Sequence, residues 1–127
     1  MAVFLYPVVM KKKRLPFTIG EQYDLNEFSV ESIKEVIIGK YSYDVYEYID
    51  KDMKSIFGFK VKSIQLFYNA DILSKVKIQF DGNVLIELLN HVAPSENDAI
   101  FDNQVKSEIF YSPILDVTEF EYFDSYV

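Results

Sequence analysis

The feature that most constrains the fold is the alternation of polar and apolar side chains in KVKIQF, residues 75–80. Successive side chains of a strand point to opposite faces, so a period of two predicts a strand with one buried face. Residues 59–68 show nearly the same period, with an irregularity near Ser63. The segment Asn69-Ala70-Asp71 between them predicts a turn. The sequence therefore predicts two neighbouring strands in the middle of the chain.

Further strands are predicted after this pair. Asp81-Gly82 stands between two apolar runs, which is a hairpin signal, and the run VLIELL at residues 84–89 is nearly continuous in apolar side chains. We interpret this run as a central strand that is covered on both faces. The segments VKSEIFY and ILDVTEFEYF, residues 105–111 and 114–123, predict two more strands, with Ser-Pro as the break between them.

The apolar segment AVFLYPVVM, residues 2–10, is followed directly by the basic cluster KKKR. A signal peptide carries its positive charge before the apolar run, and this run is too short to cross a bilayer. We therefore expect a strand at about Val3–Val9 and neither a targeting segment nor a membrane span. The basic cluster is interpreted as a solvated loop.

Two segments between these strands favour helices. In residues 27–38 the apolar positions recur at spacings of three and four, and Gly39 follows where a terminal glycine belongs. Residues 43–57 fit a helical period as well, with Gly58 as the stop. The predicted fold class is α+β, with two N-terminal-half helices packed on a curved, mainly antiparallel sheet of about five or six strands. With 127 residues, the chain is expected to form a single domain over 1–127.

Few residues in this chain are suited to catalysis. There is no cysteine and a single histidine, His91, and neither a nucleophilic serine motif nor a glycine-rich phosphate loop is present. A metal site built from His91, Asp98 and Asp102 would match no known ligand motif. We therefore expect no enzymatic activity, no cofactor and no metal.

Charge is distributed unevenly along the chain. The sequence has 20 acidic and 13 basic residues, and Lys106 is the single basic residue after position 77. An acidic surface repels phosphate backbones and attracts basic proteins. We therefore expect a basic protein partner, with no direct binding to nucleic acid or to a membrane.

Two groups of side chains are candidates for binding such a partner. In the second predicted helix, Tyr43 and Tyr46 project together beside acidic residues. In the segment EFEYFDSYV, residues 119–127, acids alternate with aromatic residues, so a strand would bury its rings and expose its acids. The candidate partner-binding residues are Tyr43, Tyr46, Glu47, Asp50, Asp98, Asp102, Asp116, Glu119, Glu121 and Asp124.

The acidic segments SENDAIFDNQ and EFEYFDSYV on a small α+β frame resemble, in general character, the immunity proteins of bacterial polymorphic and contact-dependent toxin systems. The resemblance implies an inhibitory binding protein in the bacterial cytoplasm, which covers the active or substrate-binding surface of a basic, nuclease-type cognate toxin.

Three other functions stay open. One is a small-molecule-binding or enzymatic cone-shaped domain, with polar groups such as His91 or Glu87 inside the cup. The others are a phage-encoded inhibitor and an assembly protein. The sequence sets no oligomeric state.

Overall fold

The computed structural model describes residues 15–92 and 105–124. Seven strands and one α-helix lie in this part of the chain. They follow in the order β1 (Val30–Ile38), β2 (Tyr41–Tyr48), β3 (Ser55–Ile56), β4 (Phe59–Asn69), β5 (Ile72–Asp81), α1 (Leu85–Val92), β6 (Val105–Ser112) and β7 (Val117–Asp124). All strand pairs are antiparallel, and six strands form one path in the order β1-β2-β4-β5-β7-β6, with β3 paired to β4 alone.

The predicted pair of N-terminal-half helices is wrong, and with it the expected fold class. Residues 30–38 and 41–48 are the hairpin β1–β2, and Gly39, with a φ of 62°, lies in the two-residue turn between Ile38 and Tyr41. Residues 30–38 are rich in valine and isoleucine and residues 41–48 are rich in tyrosine, and all three residue types favour strands. The spacings of three and four were compatible with a helix, but long-range pairing of β2 with β4 decided the outcome.

The predicted central strand at residues 84–89 is also wrong, because residues 85–89 belong to the helix α1. Strand β5 ends at Asp81, and the Asn83 carboxamide then accepts a hydrogen bond of 3.2 Å from the Leu85 amide at the start of the helix. Leu88 is fully buried while Glu87 is exposed, as expected for a helix with one apolar face. The Asp-Gly sequence therefore leads into a helix instead of a hairpin.

Other predicted strands are confirmed. Strands β4 and β5 cover the two central segments, and Ala70 and Asp71 form their turn with φ values of 50° and 66°. Strand β6 occupies the predicted segment at 105–111. Strand β7 begins at Val117 and not at residue 114, because the residues before it form the hairpin turn. The strand expected at Val3–Val9 lies outside the described residues.

The two faces of the sheet are packed differently. One face carries the main core, where Leu88 of α1 and Phe17 of the N-terminal loop pack on apolar side chains of β4, β5 and β7. The Tyr122 hydroxyl fastens that loop, since it donates a 2.7 Å hydrogen bond to the Phe17 carbonyl and accepts one from the Phe17 amide. The opposite face has a smaller apolar cluster of Tyr43, Val45 and Phe67.

The sheet is strongly curled toward this second face. A cavity of about 260 Å³ on it is lined by side chains from all six strands of the path, including Ile38 of β1 and Glu108 of β6. In a flat sheet these two outer strands would lie about 24 Å apart, since neighbouring strands are spaced by about 4.8 Å. The curling gathers charged and aromatic side chains of separate strands around one small space.

Candidate functional site

The first candidate surface is the outer hairpin β1–β2. Strand β1 is an edge strand that pairs with β2 alone among the described strands, and seven of its nine residues are exposed. Within this hairpin Glu31 lies opposite Glu47, and Glu35 lies opposite Asp44. Directly opposed like charges destabilise a strand pair. The hairpin, residues 30–48, has four acidic and two basic residues, and the opposed acids give it a net negative charge that its own stability does not favour.

Exposed apolar side chains accompany these acids. Phe28, just before β1, is 94% exposed, Ile37 is 75% exposed, and Ile33, Ile38 and Ile49 are exposed as well. Scattered single residues of this kind are common, but here five lie on or next to one edge strand. Acidic and apolar groups thus share an outer edge whose backbone pairs with no second strand in the described part of the chain.

The two tyrosines predicted to project together lie on opposite faces of the sheet. Residues three apart on a strand point in opposite directions, so the helical argument that joined Tyr43 with Tyr46 is wrong. Tyr46 packs among Tyr23 and Tyr68, with ring centroids 5.0 and 5.6 Å away, while Tyr43 is buried on the second face. Both rings are therefore structural parts of the fold.

The acids predicted beside them are exposed. Glu47 belongs to the outer hairpin, and Asp50 follows β2, where its carboxylate accepts a 3.0 Å hydrogen bond from the Ser29 hydroxyl. These two residues remain available to a partner.

The acidic row predicted to face outward on the last strand is buried. Glu121 pairs with Lys75 at 2.8 Å and Glu119 pairs with Lys77 at 3.3 Å, both across the β5–β7 interface. The carboxylate side chains are only 12% and 11% exposed. The aromatic residues between them, as predicted, face the main core. Glu119 and Glu121 are therefore already neutralised by lysines from the middle of the chain.

Of the remaining predicted site residues, the structure describes Asp116 and Asp124, which lie at opposite ends of β7. Asp116 is exposed in the β6–β7 turn and accepts a 2.7 Å hydrogen bond from the Tyr111 hydroxyl. Asp124 is half-buried at the end of β7. Asp98 and Asp102 lie outside the described residues.

The second candidate site is the cavity of about 260 Å³ inside the curl. Its walls combine aromatic, aliphatic and charged side chains. They consist of Ile38, Tyr43, Phe67, Lys75, Glu108, Glu121 and Phe123. The Lys75 ammonium group lies 5.2 Å from the centre of the Phe67 ring, in addition to its ion pair with Glu121. This wall thus already accommodates one cation against an aromatic ring.

Tyr43 carries an unsatisfied polar group in this wall. The residue is 1% exposed, and its hydroxyl is the one buried side-chain polar atom in the described residues that lacks a hydrogen-bond partner. Burial, followed by the neighbouring Tyr41 and Asp124, raises the pKa of Tyr43, so the hydroxyl stays protonated at neutral pH. Buried polar groups are nearly always satisfied, so this hydroxyl is an exception, and less than 1 Å² of it is accessible to solvent.

Sequence reasoning missed the cavity residues Phe67, Lys75, Glu108 and Phe123. The sequence did contain a signal for this site. Lysines alternate along β5 and glutamates alternate along β7, so the two strands have complementary charges if they pair. The register that brings them together became visible only in the folded sheet.

His91 and Glu87, the candidate polar groups of a cone-shaped binding domain, do not line the cavity inside the curl. His91 lies in α1, and its ring packs on Phe57 with centroids 4.5 Å apart. Glu87 is exposed on the same helix. Within residues 15–92 and 105–124 no group of three or more histidines and acids could hold a metal ion.

The described part of the chain contains no helix long and apolar enough to cross a bilayer. Comparison with known proteins found no match to this chain among protein-family models, curated proteins or solved structures.

Proposed function

We propose that this protein is a non-catalytic binding protein whose partner is a basic protein, and that the outer hairpin β1–β2 is the binding surface. The observation that carries this proposal is the pair of opposed acids, Glu31 with Glu47 and Glu35 with Asp44, on an exposed edge strand. Each such pair costs the hairpin roughly 0.2–1 kcal/mol by itself. A cationic partner would convert this repulsion into attraction.

The partner contributes an extended segment that adds to β1 as a further strand. Strand addition uses open backbone groups for affinity and alternate side chains for specificity. The two opposed acid pairs lie on different faces of the hairpin, because residues 31 and 35 are separated by a bulge between Ser32 and Lys34. A basic strand beside β1 would therefore place lysine or arginine near an acid on either face, with Ile33 and Ile37 as apolar contacts.

The sequence-based expectation of an immunity protein is one form of this function. In that form the protein acts in the bacterial cytoplasm and inhibits a basic, nuclease-type toxin by covering its active or substrate-binding surface. Nucleic acid and membranes are disfavoured as partners because phosphate groups would meet the acidic hairpin. The proposed binding surface is the hairpin β1–β2 and not the acidic row of β7 that the sequence suggested, because Glu119 and Glu121 are already paired with lysines.

The test uses a double variant that weakens binding without weakening the fold. Glu31→Lys with Glu35→Lys turns both opposed pairs into opposite charges, so we expect unchanged or increased stability toward urea. The matched control, Asp24→Lys with Glu87→Lys, changes net charge by the same amount at exposed positions outside the hairpin. Partners are captured from lysate of the source cells, and the product of any adjoining gene is tested first.

Binding of the captured and purified partner is then measured at several salt concentrations. We expect a basic partner, an association rate that falls with salt, and at least about tenfold weaker binding by the hairpin variant than by the control. An acidic partner would contradict the proposal, as would equal affinity of the two double variants.

A further inference from the structure

We infer that the turn between β6 and β7 is a second contact surface for the basic partner, and that its apolar side chains insert into an apolar pocket with a basic rim on that protein. The turn spans residues 113–116, and we term Pro113, Ile114 and Leu115 the apolar turn. The inference rests on the proposed function for the kind of partner. It does not rest on the hairpin surface, because no residue of β1 or β2 belongs to this turn.

The apolar turn exposes aliphatic side chains where polar ones are usual. All three of its residues are exposed, with Ile114 at 94% and Leu115 at 61%. Turns are normally built from Gly, Pro, Asn, Asp and Ser, because these residues suit the backbone geometry. At this exposure Ile114 contributes almost nothing to the packing of the protein itself. Its side chain is therefore available to another molecule.

The turn is held in one shape by the residues around it. The Tyr111 hydroxyl donates a 2.7 Å hydrogen bond to the Asp116 carboxylate, and the Gly82 amide donates one of 2.9 Å to the Asp116 carbonyl. Asp116 has a φ of 52°, a backbone conformation that residues other than glycine adopt only rarely. An exposed side chain on a turn that is already ordered loses little conformational entropy when it binds.

The start of α1 adds a further aliphatic side chain on this side of the molecule. The Val84 amide donates a 2.9 Å hydrogen bond to the Thr118 hydroxyl, two residues after the turn, and so fastens the beginning of the helix beside β7. Ile86 follows in the first turn of α1 and is exposed. The apolar turn therefore has an exposed aliphatic neighbour from a second element.

The charges near the apolar turn are acidic. Asp116 in the turn and Glu87 in α1 are exposed, and neither forms an ion pair with another described residue. Lys60 lies at this end of the sheet but is paired with Asp81, and Lys106 lies near the opposite end of β6. An apolar pocket with lysine or arginine at its rim complements this arrangement.

A basic protein fits this surface better than a second copy of the chain or a membrane. In a symmetric dimer through the turn, Asp116 and Glu87 of one copy would face the same acids of the other. An anionic membrane would repel both carboxylates. The charge that selects the partner at the outer hairpin therefore has the same sign at the apolar turn.

The position of the apolar turn allows one partner to contact both surfaces. Neighbouring strands of the path are antiparallel, so the end of the sheet at which β1 begins is also the end at which the β6–β7 turn lies. In a flat sheet β1 and β6 would be separated by about 24 Å. An interface of standard size, about 800 Å² per partner, is about 30 Å wide. It can thus include both Glu31 and Ile114.

The binding test compares two single variants, using the purified basic partner from the test of the proposed function. Ile114→Ser shortens the most exposed side chain of the apolar turn, and Leu25→Ser, the matched control, shortens an exposed side chain outside both surfaces. We expect Ile114→Ser to weaken binding about tenfold, which is the scale of burying one aliphatic side chain. The loss should appear as faster dissociation, with the salt dependence of the association rate unchanged. Equal affinity of the two variants would overturn the inference.

Photo-crosslinking in lysate of the source cells identifies what lies against the turn. Leu115→p-benzoylphenylalanine places a photoreactive group on the apolar turn, and Leu25→p-benzoylphenylalanine is its control. We expect position 115, and not position 25, to crosslink to the basic partner at a peptide that has apolar residues next to lysine or arginine. A crosslink to a second copy of this chain, to lipid or to an acidic protein would contradict the inference, as would the absence of any crosslink.

The inference and the proposed function fail in different ways. If Ile114→Ser binds as Leu25→Ser does while the hairpin variant, Glu31→Lys with Glu35→Lys, binds weakly, the apolar turn is not a contact surface and the proposed function stands. If Ile114→Ser binds weakly while the hairpin variant binds as its own control does, the hairpin is not the binding surface and the apolar turn is.

Discussion

Glu121 Oε1 lies 2.8 Å from Lys75 Nζ on the concave face of the sheet, and this pair joins the middle of the chain to its last strand. The contact is diagonal, since Lys75 is in register with Phe123 and Lys77 with Glu121. The second pair, Lys77 with Glu119, has the same diagonal offset and lies two residues further along β5. Two neighbouring pairs of this kind fix the β5–β7 register and withdraw two carboxylates from the molecular surface.

Breaking the inner pair should destabilise the protein. Glu121→Gln leaves the Lys75 ammonium group poorly solvated beside Phe67, so we expect a loss of about 1–3 kcal/mol in the free energy of unfolding. Reversing both charges together, in Lys75→Glu with Glu121→Lys, should recover at least part of this loss. Urea titrations that follow the loss of sheet structure measure both changes.

The exposed pair Lys60–Asp81 is the internal control for this prediction. Its atoms are 3.4 Å apart, but the two side chains are 80% and 43% exposed. Asp81→Asn should therefore change the free energy of unfolding by no more than about 0.5 kcal/mol. If Asp81→Asn cost as much as Glu121→Gln, burial would not be the reason for the strength of the inner pair.

Two buried tyrosines should respond oppositely to the loss of their hydroxyl groups. The Tyr122 hydroxyl joins the Phe17 carbonyl and amide, so Tyr122→Phe should lower the free energy of unfolding by about 1–2 kcal/mol. The Tyr43 hydroxyl has no partner among the described residues, so Tyr43→Phe should leave the stability unchanged or raise it. Thermal unfolding of both variants at neutral pH provides the comparison, and a clear loss of stability in Tyr43→Phe would contradict it.

The stability of the protein should fall in strongly alkaline solution, and Tyr48 should contribute to that fall. Burial, together with the hydrogen bond from its hydroxyl to Asp52, raises the pKa of Tyr48 to about 12. In the unfolded chain a tyrosine ionises near pH 10. The stabilising contribution is therefore complete below about pH 10 and is lost as the pH rises toward about 12.

The Phe variant isolates this contribution. Tyr48→Phe keeps the edge-to-face contact of the ring with Phe17, whose centroid is 5.1 Å away, and removes the ionisable group. Other buried tyrosines ionise with raised pKa values as well, so the informative quantity is the difference between the two proteins. Between pH 10 and 12 the wild type should lose more stability than Tyr48→Phe in urea titrations. Parallel loss in both proteins would show that Tyr48 is not part of the alkaline transition.

The candidate sites were predictable in part. Glu47 and Asp50 were predicted for a partner surface and are exposed, but the neighbouring Tyr43 and Tyr46 are not part of it because the segment is a strand. Glu119 and Glu121 alternate with aromatic residues as predicted, yet both faces of β7 are covered. The alternation of polar and apolar residues shows that the two faces of a strand differ in chemistry. It does not show which other residues pack against each face.

The sequence by itself determined the strands whose alternation is strict and whose turns are marked, above all β4 and β5 around Ala70 and Asp71. Period and turn chemistry are local properties, so they can be read without knowing the rest of the fold. Only the tertiary structure decided that residues 30–48 form a hairpin, that residues 85–92 form a helix, and that Lys75 meets Glu121 inside a curl. These outcomes depend on partners distant in the chain, and their competing local conformations are too close in free energy for propensity alone to choose between them.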